Sequence, residues 1–205
     1  MYYPRFIDPI LKKALKDTPV IFINGPRQVG KSTLVQRDKK RKYYTLDDLN
    51  AVQALKEDPV SFLNEKEVFY TLEEAQRLPE LFLTLKLLVD QKRTSGKFIL
   101  TGSANVLLLP KIAESLAGRM EILNLYPLSV NEINNKKSDF FDQIISNKPT
   151  FTPNSSFDFK HYMTMGGYPE VVLREKGRRN AWFESYTTAL LQRDIRELAN
   201  IEQLT

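Results

Sequence analysis

The most specific chemistry in this chain lies in residues 25–32, Gly25-Pro26-Arg27-Gln28-Val29-Gly30-Lys31-Ser32. The order is G-x-x-x-x-G-K-[ST] without a mismatch, and each fixed residue type has a physical task. The glycines let the backbone turn tightly and present N–H groups to phosphate oxygens with no side chain in the way. A helix starting near Lys31 points the positive end of its dipole at the same oxygens. Lys31 would reach the β- and γ-phosphates of a nucleotide, and Ser32 would offer its hydroxyl to Mg²⁺. Thr33 follows in the same first turn as a further binding candidate.

Mg²⁺ beside bound phosphates needs a carboxylate from another buried strand. Val68-Phe69-Tyr70-Thr71-Leu72 leads directly into Glu73-Glu74. Glu73 is the metal-side candidate, and Glu74 the group that would orient or deprotonate a water. The competing reading is a solvated helix start. Asp47-Asp48 follows another strand pattern and competes for the metal. The expected job of Asp47 is to cap the next helix, where a carboxylate accepts bonds from free N–H groups. Phe98-Ile99-Leu100 runs into Thr101-Gly102-Ser103-Ala104-Asn105. A small hydroxyl there would sense the γ-phosphate or hold the lytic water, or Ser103 or Asn105 would cap a helix.

The elements that must position these residues read as alternating strands and helices. VIFIN, residues 20–24, is the run of β-branched and aromatic residues expected of a strand buried on both faces. Further strands are predicted at 42–46, 68–72, 97–100 and 120–125. Helices are predicted at 9–16, from Lys31, at 48–56, from Pro79 to about Arg93, and at 105–117. Such alternation predicts a three-layer α/β fold with a mainly parallel five-stranded sheet. After residue 134 the pattern changes. Residues 134–157 are rich in Asn, Lys, Ser, Pro and Asp and read as a linker. Residues 181–204 read as one long helix, with Trp182 and Phe183 packing it.

Composition removes other classes. Hydrophobic residues are 42% and charged residues 27% of 205, so the chain is globular and not disordered. There is no cysteine and one histidine, His161. That excludes disulfide scaffolds, thiol nucleophiles and cysteine-bound metals. The longest apolar helical run, Leu81–Val89, contains Lys86 and falls far short of the ~20 residues of a membrane span. The N-terminus lacks the apolar core of a signal peptide, so a soluble cytoplasmic protein is expected. The net charge of +5 permits nucleic-acid contact without demanding it. The basic run Arg37–Lys42 reads as a solvated loop.

Taken together, these motifs resemble the AAA+-superfamily ATP-binding proteins of bacteria and archaea that join an AAA-type domain to a C-terminal domain of unknown function. The resemblance rests on Gly25–Ser32, Leu46-Asp47-Asp48, Glu73-Glu74-Ala75-Gln76 and Leu100-Thr101-Gly102-Ser103. It continues through Ser115-Leu116-Ala117-Gly118-Arg119, Tyr126-Pro127-Leu128-Ser129, Gly166-Gly167-Tyr168-Pro169-Glu170 and Arg193-Asp194-Ile195. It implies a P-loop NTPase domain over 1–134, a linker over 135–157 and the helical start of a second domain over 158–205. It also implies ATP and ADP as ligands, Mg²⁺, and hydrolysis coupled to conformational change. Glu74 matches the catalytic glutamate and Ser103 the sensor position. Arg119 matches an arginine that would stabilise transition-state charge, in cis or from a neighbouring subunit of a homo-oligomer. Its other reading is a salt bridge or a helix C-terminal cation.

Two departures bear on this. The family has Asp-Glu where this chain has Glu73-Glu74, and the extra methylene pushes the metal-side carboxylate outward. The family's second domain continues beyond residue 205, so it is expected to be cut short here. Both departures favour an alternative, a nucleotide-dependent binding module with little turnover. A P-loop kinase fits less well, because no arginine-rich lid segment is visible.

Overall fold

The structure is a computed structural model. It describes residues 2–103, 115–136, 145–146 and 158–202, with the side chains of the last helix as far as residue 192. The chain divides into two compact units, Met1–Leu128 and Ser129–Thr205.

The first unit is a five-stranded, all-parallel sheet. In chain order its elements are α1 (Asp8–Asp17), β1 (Val20–Gly25), α2 (Lys31–Val35), β2 (Lys42–Thr45), α3 (Leu49–Glu57) and α4 (Pro59–Leu63). They continue as β3 (Tyr70–Glu73), a 3₁₀ turn (Ala75–Arg77), α5 (Leu81–Gln91), β4 (Phe98–Ser103) and β5 (Met120–Asn124). The spatial order is β2-β3-β4-β1-β5. The chain leaves β1 in one direction and β4 in the other. By the rule for open parallel sheets, that reversal marks a switch-point crevice at the carboxyl ends of β1 and β4.

Alternation along the central strands explains the layers. Val20 and Phe22 of β1, Tyr70 and Leu72 of β3, and Phe98 and Leu100 of β4 all join the cluster built with Leu55, Leu63, Leu81 and Leu85. Their neighbours Ile21, Ile23 and Ile99 point to the other face and are equally buried. A strand buried on both faces has no polar side to show, which is why VIFIN reads as a continuous apolar run.

Several boundaries differ from the sequence expectation. β3 extends to Glu73, and β4 extends through Ser103. Both extra stretches are polar, and backbone pairing to neighbouring strands carries them past the apolar core. Pro79 and Glu80 precede α5, which starts at Leu81. Asp48 is the residue that caps α3, accepting from the Asn50 N–H. Asp47 instead forms an ion pair with Arg77 at 2.6 Å. The basic run is not wholly solvated, because Arg41 is 9% exposed. Its guanidinium donates to the carbonyls of Tyr70, Gly96 and Lys97 and to the Thr71 hydroxyl. Most of these acceptors are backbone carbonyls at the amino ends of β3 and β4. The helix expected at 105–117 lies mostly outside the described residues, as does most of 135–157.

The second unit is helical where it is described. Its first helix, α6 (Val130–Ile133), is closed by a capping box between Ser129 and Glu132. It is followed by α7 (Phe159–Met165), α8 (Pro169–Val172) and the long α9 (Lys176–Glu202). Trp182 and Phe183 pack with Tyr168 and Tyr186, and the rings of Trp182 and Tyr186 stack at 4.9 Å. His161 is exposed, and its backbone N–H bonds to the capping Asp158.

Candidate functional site

The crevice is built first from backbone. Gly25 ends β1 where the chain after β5 crosses it, and a Cβ there would meet the Leu125 carbonyl oxygen at 2.2 Å. Only glycine fits. Gly30 has φ +98° and sits immediately before α2, where an L side chain would be strained. Gln28 also takes a left-handed φ of 62°. The loop is therefore held in a conformation that its residues would not choose alone.

Arg5 supplies part of that hold. It is 7% exposed and donates to the Val29 carbonyl at 2.9 Å and the Tyr126 carbonyl at 2.5 Å. The N-terminal segment thus ties the loop to the exit of β5. Pro26 and Arg27 are partly buried, Gln28 is exposed and Val29 is buried.

Lys31 is 6% exposed. Its ammonium donates to the loop carbonyls of Gly25 at 2.9 Å and Pro26 at 2.8 Å. Burial pulls its pKa down, and the charges of Glu74 and Glu73 oppose that pull. The buried ammonium therefore faces two carboxylates without an ion-pair bond to either. Ser32 and Thr33 lie in the same turn, where the N–H groups have no intrahelical acceptor. α2 has five residues, which is enough, because the dipole effect is concentrated in the first turn.

Glu73 comes from the end of β3, two strands away from β1. The Ser32 hydroxyl donates to its Oε1 and the Tyr43 phenol to its Oε2. Glu74 follows with φ 57°, a left-handed conformation at the strand end. Its N–H points to the Thr101 hydroxyl at 3.4 Å. The Gln76 amide donates to Glu74 Oε2 and, at 3.2 Å, to Ser103 Oγ. One amide therefore joins the end of β3 to the end of β4.

The structure brings Lys31, Ser32, Glu73, Glu74 and Ser103 to one end of the sheet. It does not bring Arg119 there. Arg119 precedes β5, and its carbonyl accepts from the Val20 N–H at the start of β1. The full length of β1, roughly 17 Å of extended chain, separates it from the loop. Its guanidinium makes a two-armed pair with Asp90 at 2.6 and 2.9 Å. Arg119 cannot serve this chain's own loop from that position, and the salt-bridge reading describes its observed contact.

Tyr43, Gln76 and Arg5 were not assigned roles from sequence. Tyr43 lies on the same face as Thr45, the register partner of Glu73, so a long side chain reaches Glu73 diagonally. Strand order alone would have revealed it, and that order is not written in the chain. Gln76 was visible as part of Glu73-Glu74-Ala75-Gln76, but its bridging required the β3–β4 pairing.

Among the described residues, the candidate metal donors at this end are oxygens. Among the described residues no three His, Cys, Asp or Glu side chains gather in a metal-ligating group. Among the described residues, the hydroxyl of Ser32 and the carboxylate of Glu73 are the oxygen pair in direct contact beside the loop. That sparse oxygen set suits Mg²⁺, which keeps several waters and takes its remaining ligands from phosphates.

The fold and this site define a nucleotide-binding domain of the P-loop kind. The chain belongs to the AAA domain family, whose model matches residues 17–134. A second match, to a domain of unknown function (DUF8612), covers residues 156–205. An uncharacterized protein of Mycobacterium bovis and another of Mycobacterium tuberculosis are each 33% identical to this chain over 190 residues. The match covers 92% of this chain and 38% of each relative, so the chain spans well under half the length of these proteins. Among the described residues no helix is long and apolar enough to cross a membrane.

Proposed function

We propose that this protein binds ATP through residues 25–33 and hydrolyses it to ADP and phosphate in a Mg²⁺-dependent reaction, in the cytoplasm. The observation that carries the reading is the convergence of Lys31, Ser32, Glu73, Glu74 and Ser103 at the carboxyl ends of three strands. Gly25–Thr33 would wrap the phosphates with backbone N–H groups, and Lys31 would exchange its loop carbonyls for phosphate oxygens. Mg²⁺, when bound, supplies charge neutralisation on the β- and γ-phosphates, with Ser32 and Glu73 holding its side of the site. Glu74 would accept the proton of the attacking water, and Ser103 would contact the γ-phosphate. Gln76 links these last two, so a change at the γ-phosphate reaches Glu74 through one side chain. Arg119 would act only from a neighbouring copy, at a nucleotide held by that copy. The turnover would be passed on as a conformational change to the second unit.

A second reading, a binding module with little turnover, is favoured by one contact. The Gln76 amide donates to Glu74 Oε2, which lowers the basicity of the carboxylate expected to act as general base. Thermal stability and phosphate release with MgATP, measured beside Lys31→Ala and Glu74→Gln, separate the two. A stability shift with Glu74-dependent phosphate release supports the ATPase. A shift without release supports the module, and no shift with ATP or ADP removes both.

A further inference from the structure

We propose that Tyr43 is a positioning residue for Glu73 and that it sets the discrimination between Mg²⁺ and Ca²⁺ at the nucleotide site. The inference rests on the nucleotide reading and concerns a residue that reading does not require. Its basis is the way Glu73 is held. Both carboxylate oxygens already have a donor, Ser32 on Oε1 and Tyr43 on Oε2. The two donors come from opposite sides. Ser32 belongs to the phosphate loop's helix, and Tyr43 to β2, which pairs with β3 on the side away from β1. Glu73 is 9% exposed, so water competes poorly for either oxygen.

The consequence follows from what each cation asks of a carboxylate. Ca²⁺ takes six to eight oxygens at about 2.3–2.6 Å and accepts a carboxylate through both oxygens. Mg²⁺ demands an octahedron at about 2.0–2.1 Å and keeps its waters. Oε1 faces Ser32, the other group that would hold the cation, so a cation entering there meets Oε1 first and must displace the phenol to gain Oε2 as well. That is the presentation Mg²⁺ can use, directly or through a water, and it withholds the two-oxygen grip that favours Ca²⁺. Tyr43 also restrains a side chain one methylene longer than aspartate, which would otherwise sample more rotamers.

The test measures ATP affinity, by calorimetry or a fluorescent ATP analogue, at rising Mg²⁺ and separately at rising Ca²⁺. Wild type is compared with Tyr43→Phe, which keeps the ring and removes the hydroxyl. The Mg²⁺ concentration giving half-maximal tightening of ATP should rise about tenfold in Tyr43→Phe, the size usual for losing a partner of a metal ligand. The Ca²⁺ requirement should stay level or fall, and metal-free ATP affinity should be unchanged. The same substitution in a Glu73→Asp background should do little, because the shorter carboxylate has withdrawn from the phenol. Equal cation dependence in wild type and Tyr43→Phe overturns the assignment while leaving the nucleotide reading intact. So does an equal effect in the Glu73 and Asp backgrounds, which marks a general packing role. Failure of wild type to bind ATP with any cation overturns the nucleotide reading, and this inference with it.

Discussion

At the carboxyl ends of the strands Lys31 is 6% exposed, and at the amino ends Arg41 is 9% exposed. Burial lowers the pKa of both, that of Arg41 to about 10. Their surroundings differ. Arg41 meets fixed backbone carbonyls on the amino ends of β3 and β4, and its planar fork fills them. Its Nε and Nη2 donors are all directed at these fixed acceptors and the Thr71 hydroxyl. Lys31 rests on carbonyls of its own loop, near two carboxylates it does not bond, beside residues with left-handed φ values. At one end the cation is bound to backbone that cannot move away without opening the sheet. At the other the cation rests on carbonyls of its own loop, which phosphate oxygens would replace on the proposed reading. A buried positive charge is therefore not a functional sign by itself, and the replaceability of its partners is what separates the two.

Four substitutions break or sharpen that contrast. Glu74→Gln should lower the rate of phosphate release on the order of 10³-fold and leave ATP affinity close to wild type, the usual scale for removing a general base. Steady-state kinetics beside equilibrium binding would show it. Arg41→Ala should cost about 3 kcal/mol in denaturant unfolding, since several buried carbonyls lose a charged donor together. It should leave the ATP affinity of the folded fraction unchanged.

Lys31→Met should do the reverse. A ligand at 100 times its dissociation constant stabilises by about 2.7 kcal/mol, and that MgATP shift should vanish. The free protein should become more stable at neutral pH, because the charged form is the one that burial penalises. The sign in wild type follows from linkage. The folded-state pKa lies below the unfolded value of 10.5, so the unfolded chain holds more protons between the two. Stability of the free protein should therefore rise with pH in that window, and saturating MgATP, which favours the charged ammonium, should flatten the rise. Denaturation curves across alkaline pH with and without ligand would check it. Asp90→Asn should have the smallest effect. Its carboxyl is held below the usual range by the Arg119 hydrogen bond, so the pair's contribution is present above the ordinary carboxylate pKa and fades as pH falls. The pair is exposed, and ATP affinity should not change.

Much of the α/β unit was legible because it depends on local signals. Buried parallel strands read as apolar runs, and a phosphate loop needs its glycines, lysine and hydroxyl in one short stretch. Glu73, Glu74 and Ser103 could be picked out as candidates because they directly follow such runs, and the fold gathers them at one end of the sheet. Asp47 was misread because two adjacent acids can each cap a helix, and only the backbone geometry assigns the cap to Asp48. Arg41 was misread because a charge run gives no sign that one member turns inward under a strand edge. Arg119 was placed among the site candidates by resemblance, while strand direction puts it at the far end of the sheet.

The order of residues alone determined that a phosphate-binding loop follows a buried strand, that carboxylates and a small hydroxyl end two more strands, and that helices take over beyond the sheet. These are properties of neighbours in the chain, where periodicity and backbone freedom act over a few residues. Tertiary structure alone decided which strand lies beside which. That choice sets Tyr43 against Glu73, joins Glu74 to Ser103 through Gln76, pins the loop with Arg5 and removes Arg119 from the site. Each of these contacts links residues brought together by sheet register and helix crossover, which are global solutions to burying two apolar faces and leave no local mark.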